Sequence, residues 1–271
     1  MTLTGILSKM QAVLEGKNIR YRLQIDDKDI DMNALIGKHL RISFLNEIHC
    51  TVCGIEIKRT YAGRAICRNC YETAPEAEEC LFYPEKCKAH LGIARDMEWS
   101  EKHCLIPHFV YLALSSGLKV GVTRHHQIPV RWIDQGAVKA VKIAETPDRH
   151  IAGVIEVFLK DHFADKTNWK QMLVISPDNF TIDLIEEKRK AISLLPAELK
   201  KYAIQEDKIY ELNYPVPTSV SHPEHFSFEK EKTAQGILIG IKGQYLIFDN
   251  GKTVNFNNFS GFKVEMEIPG Y

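Results

Sequence analysis

No uninterrupted apolar run in this chain approaches the roughly 18–20 residues that cross a bilayer, so no membrane span is expected. The opening segment, MTLTGILSKMQAVLEGK, lacks a basic n-region and a clear apolar h-region, which speaks against a secretory leader. Neither sign of charge dominates, because 35 Lys and Arg stand against 35 Asp and Glu. That balance excludes a uniformly basic protein that coats nucleic acid by bulk charge, but leaves room for a local basic cleft. No repeat of solenoid period is present. With no export signal, a cytoplasmic, reducing location is expected. There the seven cysteines read as metal ligands or nucleophiles rather than as disulfides.

What is present is ordinary for a globular chain. Apolar residues make up 45% and charged residues 26% of 271, values that exclude a disordered or fibrous protein. The length suits one large domain or two to three small ones. Composition divides it into residues 1–48, 49–107, 108–192 and 193–271. In the first stretch Leu3, Ile6, Leu7, Met10 and Val13 recur at helical spacing, so a helix is expected there, stopped by Gly16. Two strand-like runs follow, Ile19 to Ile25 and His39 to Ile48. Residues 108–175 read as strand, strand, helix, strand, helix. A further helix is expected from a Ser176 cap with Pro177 in its first turn to about Ser193, and a short one after Pro196. After a Pro- and His-rich linker from Tyr214 to His225, the tail returns to short strands. Asp249-Asn250-Gly251 between two of them is a hairpin signal. These tail strands are too few to close a core alone, so pairing with the N-terminal strands is expected.

All seven cysteines lie in residues 49–107, a stretch poor in aliphatic side chains. Cys50-x2-Cys53 is followed after thirteen residues by Cys67-x2-Cys70. Two such knuckles match a four-cysteine zinc site, because each turn brings two thiolates to one side of a tetrahedral ion. Gly54 permits the tight turn after the first knuckle. An iron–sulfur cluster takes the same ligands. The remaining cysteines continue the pattern as Cys80-x6-Cys87-x2-His90 with Cys104 thirteen residues on. They make a second candidate site of three Cys and one His, with His103 as a competing imidazole. A segment with so little core needs a staple, and zinc supplies one.

The chemistry candidates lie in residues 108–172. Val110-Tyr111 on one strand is followed by Lys119-Val120-Gly121-Val122-Thr123-Arg124 on the next. Arg131 then falls on a short helix, Glu156 on a longer amphipathic helix that carries Ile151, Val154, Ile155, Phe158 and Leu159, and Asn168 after it. This order resembles the GIY-YIG nuclease superfamily. Together with the cysteine segment and Asp165-Lys166-Thr167-Asn168-Trp169, the whole chain resembles an uncharacterised bacterial family of unknown function. The resemblance implies that Tyr111 is the general base or its helper and that Lys119 stands where a second tyrosine usually is. It further implies that Arg131 neutralises phosphate charge, Glu156 binds one Mg²⁺ or Mn²⁺, and Asn168 is the trailing asparagine. The first motif, Phe109-Val110-Tyr111, has no glycine, and the gap between the motifs is short.

Each residue also has an ordinary reading. Tyr111 and Lys119 can be plain strand residues, Arg131 can pair with Asp134, Glu156 can pair with Lys160, and Asn168 can cap a helix. Residues 108–175 carry nine Lys and Arg against six acids, while 176–271 carry eleven against fourteen, so the candidate segment is the positive one. Trp132, Trp169 and Tyr111 are candidates for stacking bases. The expectation is an α+β protein with a small three-stranded sheet and helices behind a zinc-ribbon segment. A β-rich, small-barrel-like part from both chain ends completes it. The expected function is divalent-metal-dependent phosphodiester hydrolysis on DNA or RNA. The alternative is a catalytically inactive zinc protein that binds nucleic acid or a protein partner through the same cleft.

Overall fold

The computed structural model describes residues 1–176, 180–218 and 220–268. About 28% of the chain is helical and about 34% is strand, a mixed α+β composition spread over several sheets. By its contacts the chain forms two units, residues 1–71 with 213–271, and residues 72–212. The boundary falls inside the cysteine-bearing stretch that sequence groups as one, so each unit holds one set of cysteines.

The N-terminal segment is not a helix. It forms β1 (Thr2–Ile6) and β2 (Gln11–Glu15), followed by β3 (Asn18–Ile25), β4 (Lys28–Asp31), β5 (His39–His49) and β6 (Glu56–Ile57). A helix would have put Ile6 and Val13 on its buried stripe, yet both are exposed while Leu3, Leu7 and Met10 are buried. Strand pairing decides the matter: β1 runs antiparallel to the last strand of the chain, and β2, β3 and β4 form their own three-stranded sheet. β3 alternates exposed and buried residues without interruption, as a strand with one wetted face must. The short helix α1 (Arg68–Thr73) closes this part.

The second unit contains α2 (Met97–His103), β7 (His108–Leu114), β8 (Leu118–Arg124), α3 (Val130–Asp134), β9 (Lys139–Thr146) and α4 (Arg149–Lys160). It continues with α5 (Trp169–Val174), α6 (Leu184–Leu194), α7 (Ala197–Lys200) and β10 (Ile209–Glu211). Its sheet has four strands in the order β10-β9-β7-β8. The expected three are joined by β10, which pairs with β9 through Ile209 and Val141. β7 is buried along nearly its whole length, as a central strand covered on both faces is. α4 starts where Asp148 accepts from the Ile151 N–H at 2.9 Å. α6 starts later than its sequence suggests. Asp183 caps it, accepting from the backbone of Ile185 and Glu186, and Pro177 lies outside the described residues. The short helix expected after Pro196 is α7.

The tail supplies β11 (Glu224–His225), β12 (Thr233–Lys242), β13 (Tyr245–Phe248), β14 (Lys252–Asn255) and β15 (Phe262–Glu267). Asp249-Asn250-Gly251 joins β13 to β14, which pair antiparallel, and Gly251 takes the positive φ of 83° that the turn needs. Both chain ends meet in one eight-stranded sheet of order β1-β15-β5-β12-β13-β14-β11, with β6 on β5. The sheet is open, so the barrel expected from the two ends does not close. Phe226, Phe228, Phe259 and Phe262 pack in its core with centroids 4.6–6.4 Å apart.

Candidate metal centres and the central polar cluster

The first cysteine set sits at the end of β5. Cys50 follows directly on that strand, and its N–H donates to the Ile55 carbonyl at 2.8 Å while its own carbonyl accepts from Gly54. Gly54 has φ of 76°, the left-handed conformation that the knuckle turn demands. The second knuckle runs into α1. Gly261 of the tail leans on the base of this loop, and a Cβ there would lie 2.4 Å from the His49 carbonyl oxygen. The ligand sulfurs of Cys50, Cys53, Cys67 and Cys70 all lie within 4.8 Å of one another. The Cys67 N–H donates to Cys50 Sγ and the Cys70 N–H to Cys67 Sγ, both at 3.3 Å. Burial pushes the Cys50 thiol up, but hydrogen bonds from the backbone of Cys53, Cys67 and Val52 outweigh it and bring the thiol down to about 6. Backbone N–H groups aimed at sulfur stabilise thiolates, the form that binds metal. Burial and the neighbouring cysteines push the Cys70 thiol up, so this one gives its proton up on metal binding, and four cysteine sulfurs in this arrangement are a donor set that zinc takes.

The second set is wholly buried. Cys80 lies in a 3-10 turn, Glu79–Leu81, and Cys87 follows another, Pro84–Lys86. Cys104 caps the C-terminus of α2. Their sulfurs lie within 4.8 Å of one another, so this cluster can also hold zinc. His90 is not brought to it. Its ring is exposed and stacks on His150 at 4.4 Å, because the turn Ala89–Leu91 carries it outward. His103 stacks on Trp99 at 4.0 Å and its Nδ1 meets the Trp99 carbonyl at 2.7 Å.

The third cluster lies on the four-stranded sheet. Tyr111 of β7 pairs with Gly121 of β8, and a Cβ at Gly121 would sit 2.6 Å from the tyrosine hydroxyl. The glycine thus makes room for the ring to lie across its neighbour strand. Tyr111 is fully buried, and its hydroxyl donates to Gln135 Oε1 at 2.8 Å. Burial pushes that hydroxyl up, with Arg131 lowering it and Glu156 raising it. Lys119 is 4% exposed, and its Nζ donates to Thr167 Oγ1 at 2.8 Å. Burial, helped by Arg131 and opposed by Asp165 and Glu156, brings the ammonium down to about 8. Glu156 is 8% exposed and faces Lys160 at 3.4 Å, and Lys160 also reaches Asp165 at 3.7 Å. Burial pushes the Glu156 carboxyl up against the pull of Lys160.

Four of the five chemistry candidates therefore share one electrostatic neighbourhood, with the Arg131 side chain exposed. Asn168 is placed differently. It caps α5, accepting from the Gln171 N–H at 3.2 Å, and its own N–H donates to Ser116 Oγ. Trp132 is fully buried, edge-on to Tyr111 at 5.8 Å, so neither ring is free to stack a base. Gln135, at the C-cap of α3, and Asp165 and Thr167, both in the loop between α4 and α5, complete the cluster. Among the described residues no helix is long and apolar enough to cross a membrane.

A search of curated proteins and a search of solved structures returned no match. A family model described as protein of unknown function (DUF2797) matches residues 37–264. That match runs from just before β5 into β15 and takes in both cysteine clusters and the polar cluster, so the chain belongs to the family of unknown function DUF2797.

Proposed function

We propose that this is a zinc-stapled, nucleic-acid-processing protein whose polar cluster hydrolyses phosphodiesters with one divalent ion, in the manner of GIY-YIG enzymes. The observation that carries the reading is the assembly of Tyr111, Lys119, Arg131 and Glu156, from two strands and two helices, around one neighbourhood. Burying an ammonium and a carboxylate is costly, and perturbed titratable groups of this kind gather at functional sites. Glu156 is a hard oxygen donor beside Asp165, the donor chemistry that Mg²⁺ or Mn²⁺ accepts with most of its waters retained. Such an ion, when bound, polarises a phosphoryl oxygen. The exposed Arg131 fork binds a non-bridging phosphate oxygen pair and spreads its charge. Lys119, brought near neutral pH, holds or releases a proton close to that phosphate. Tyr111, enclosed and engaged by Gln135, positions the sheet rather than meeting the attacking water.

The test is cleavage of mixed DNA and RNA by purified protein with Mg²⁺ or Mn²⁺, beside Glu156→Ala and Arg131→Ala. Loss of one or the other group is expected to lower cleavage by roughly 10²-fold or more. Equal rates for wild type and both variants sink the enzyme. A second reading, an inert zinc protein that binds nucleic acid on the same face, draws support from the Lys160 ammonium that already occupies Glu156. It predicts that Arg131→Ala weakens binding in a protein that cleaves nothing.

A further inference from the structure

The second cysteine cluster supplies three soft ligands, and among the described residues no other His, Cys, Asp or Glu atom joins them within 4.8 Å. Structural zinc is almost always four-coordinate, so three buried thiolates leave one position to fill. Two buried side chains, one four residues after Cys104 and one whose N–H donates to the Cys104 carbonyl, carry a polar atom with no partner among the described residues. The first is His108, at the start of β7 and 1% exposed. Its Nδ1 lies 2.7 Å from the Ile106 carbonyl oxygen. Only a protonated Nδ1 donates to a carbonyl, so the neutral ring carries its lone pair on Nε2. That Nε2 is buried with no hydrogen-bond partner among the described residues. A ring nitrogen fixed to a backbone carbonyl, with the other nitrogen left bare, is the arrangement that orients metal-ligating histidines. Cys104 and Arg149 both act electrostatically on this ring.

The second side chain is Arg149, 6% exposed, at the first residue of α4. Its guanidinium donates to the carbonyls of Cys80 at 3.3 Å and His103 at 3.0 Å, and its charge acts on the Cys104 thiolate. Among the described residues its Nε has no partner and no carboxylate pairs with it. A buried guanidinium without a counter-charge is strongly unfavourable. Thiolates held by a metal provide that counter-charge.

We propose that Cys80, Cys87, Cys104 and His108 Nε2 form a second, tetrahedral zinc centre, with Arg149 as its charge-balancing positioning residue. Three thiolates and a neutral imidazole leave the zinc centre with one negative charge, which the Arg149 cation cancels. Loading releases one proton to solvent from each sulfur that is still a thiol, Cys80 and Cys87, as three Zn–S bonds form, while the Cys104 thiolate and Nε2 each donate a lone pair without losing a proton. Nε2 stands outside the 4.8 Å set of sulfurs, so metal uptake draws the His108 ring and the cysteine turns together. The proposal is independent of the hydrolase reading, since Glu156→Ala leaves zinc content unchanged whichever way cleavage turns out.

The experiment is zinc analysis of the full chain, with X-ray absorption at the zinc edge, on wild type, His90→Ala, His103→Ala, His108→Ala and His108→Cys. Wild type is expected to hold a second zinc beyond the four-cysteine one, and to show a nitrogen shell at about 2.0–2.1 Å beside sulfur at about 2.3 Å. His90→Ala and His103→Ala keep both features. His108→Ala loses the second zinc or binds it about 10–100-fold more weakly. If that variant fails to fold, His108→Cys decides, because it restores the second zinc while the nitrogen shell vanishes. A nitrogen shell that survives in His108→Cys, or undiminished second-site zinc in His108→Ala, overturns the assignment. So does a wild-type protein with a single, all-sulfur zinc.

Discussion

Lys119 sits in an environment that its residue type disfavours. A lysine 4% exposed in a strand, its ammonium hydrogen-bonded to Thr167 Oγ1, carries its charge at a cost. Its ammonium sits near 8 against an ordinary 10.5. Between those two pH values the unfolded chain holds the proton and the folded chain has released it. Stability therefore rises with pH across that window, and the penalty of the buried charge is fully present below about 8. Each unit of this depression is worth about 1.4 kcal/mol. Denaturant melts of wild type and Lys119→Met from pH 7 to 10 are expected to converge. Lys119→Met is the more stable protein at pH 7, and its advantage shrinks as pH rises. A constant difference across the range would show that Lys119 keeps an ordinary proton affinity. If Lys119 also manages a proton in phosphodiester cleavage, the same change abolishes activity while it raises stability, the trade between function and stability expected of a buried site group.

At the scale of elements, α4 is the piece on which the second unit depends. One end is capped by Asp148 and carries Arg149 to the cysteine cluster, and its far turns carry Glu156 and Lys160 to the polar cluster. Its middle holds Gly153, where a Cβ would lie 2.1 Å from the Glu85 backbone nitrogen and 2.4 Å from the Pro84 carbonyl carbon. In an exposed helix Gly→Ala gains about 1 kcal/mol. Here the obstacle is backbone, which cannot swing aside, so Gly153→Ala is expected to destabilise the fold by roughly 1–3 kcal/mol. The turn Pro84–Lys86 lies between Cys80 and Cys87, so the same variant is expected to loosen zinc at the second cluster and spare the first. Thermal melts and zinc content read the two effects. A stabilised variant with full zinc would show that helix and turn are not in contact.

At the scale of the whole molecule, each contact unit carries one cysteine cluster, and each cluster ties together segments with little apolar area of their own. Removal of zinc by a strong chelator is expected to strip hydrogen-exchange protection from residues 50–70 and 80–104. Amides of β7 and β9 are expected to keep theirs, because those strands are buried along their length and paired on both sides. Protection lost uniformly, or not at all, would contradict a stapling role. The N-terminus is held in the same way as the strands beside it. The Met1 amino group donates to the Ile268 carbonyl at 2.8 Å, and β15 is sandwiched between β1 and β5.

The chain by itself determined what depends on neighbours a few residues apart. A CxxC turn with a glycine behind it sets two thiols on one side of a tight turn through short-range geometry alone. Runs of apolar and β-branched residues made β7, β8 and β9 legible, and an apolar stripe of helical period marked α4. Tertiary structure decided everything that required a distant partner. Leu3, Leu7 and Met10 fit a helical period equally well, and it was pairing with β15, more than 250 residues away, that made a strand of the first of them. His90 has ligand spacing, yet ring direction is set by the turn that carries it. The buried imidazole whose Nε2 lacks a partner among the described residues is His108, which no spacing rule selects. Tyr111 lost its access to solvent because Gly121 of β8 and Trp132 and Gln135 of α3 and its C-cap close on it. Local turn chemistry is written in short spacings, whereas burial and side-chain direction are properties of the packed whole.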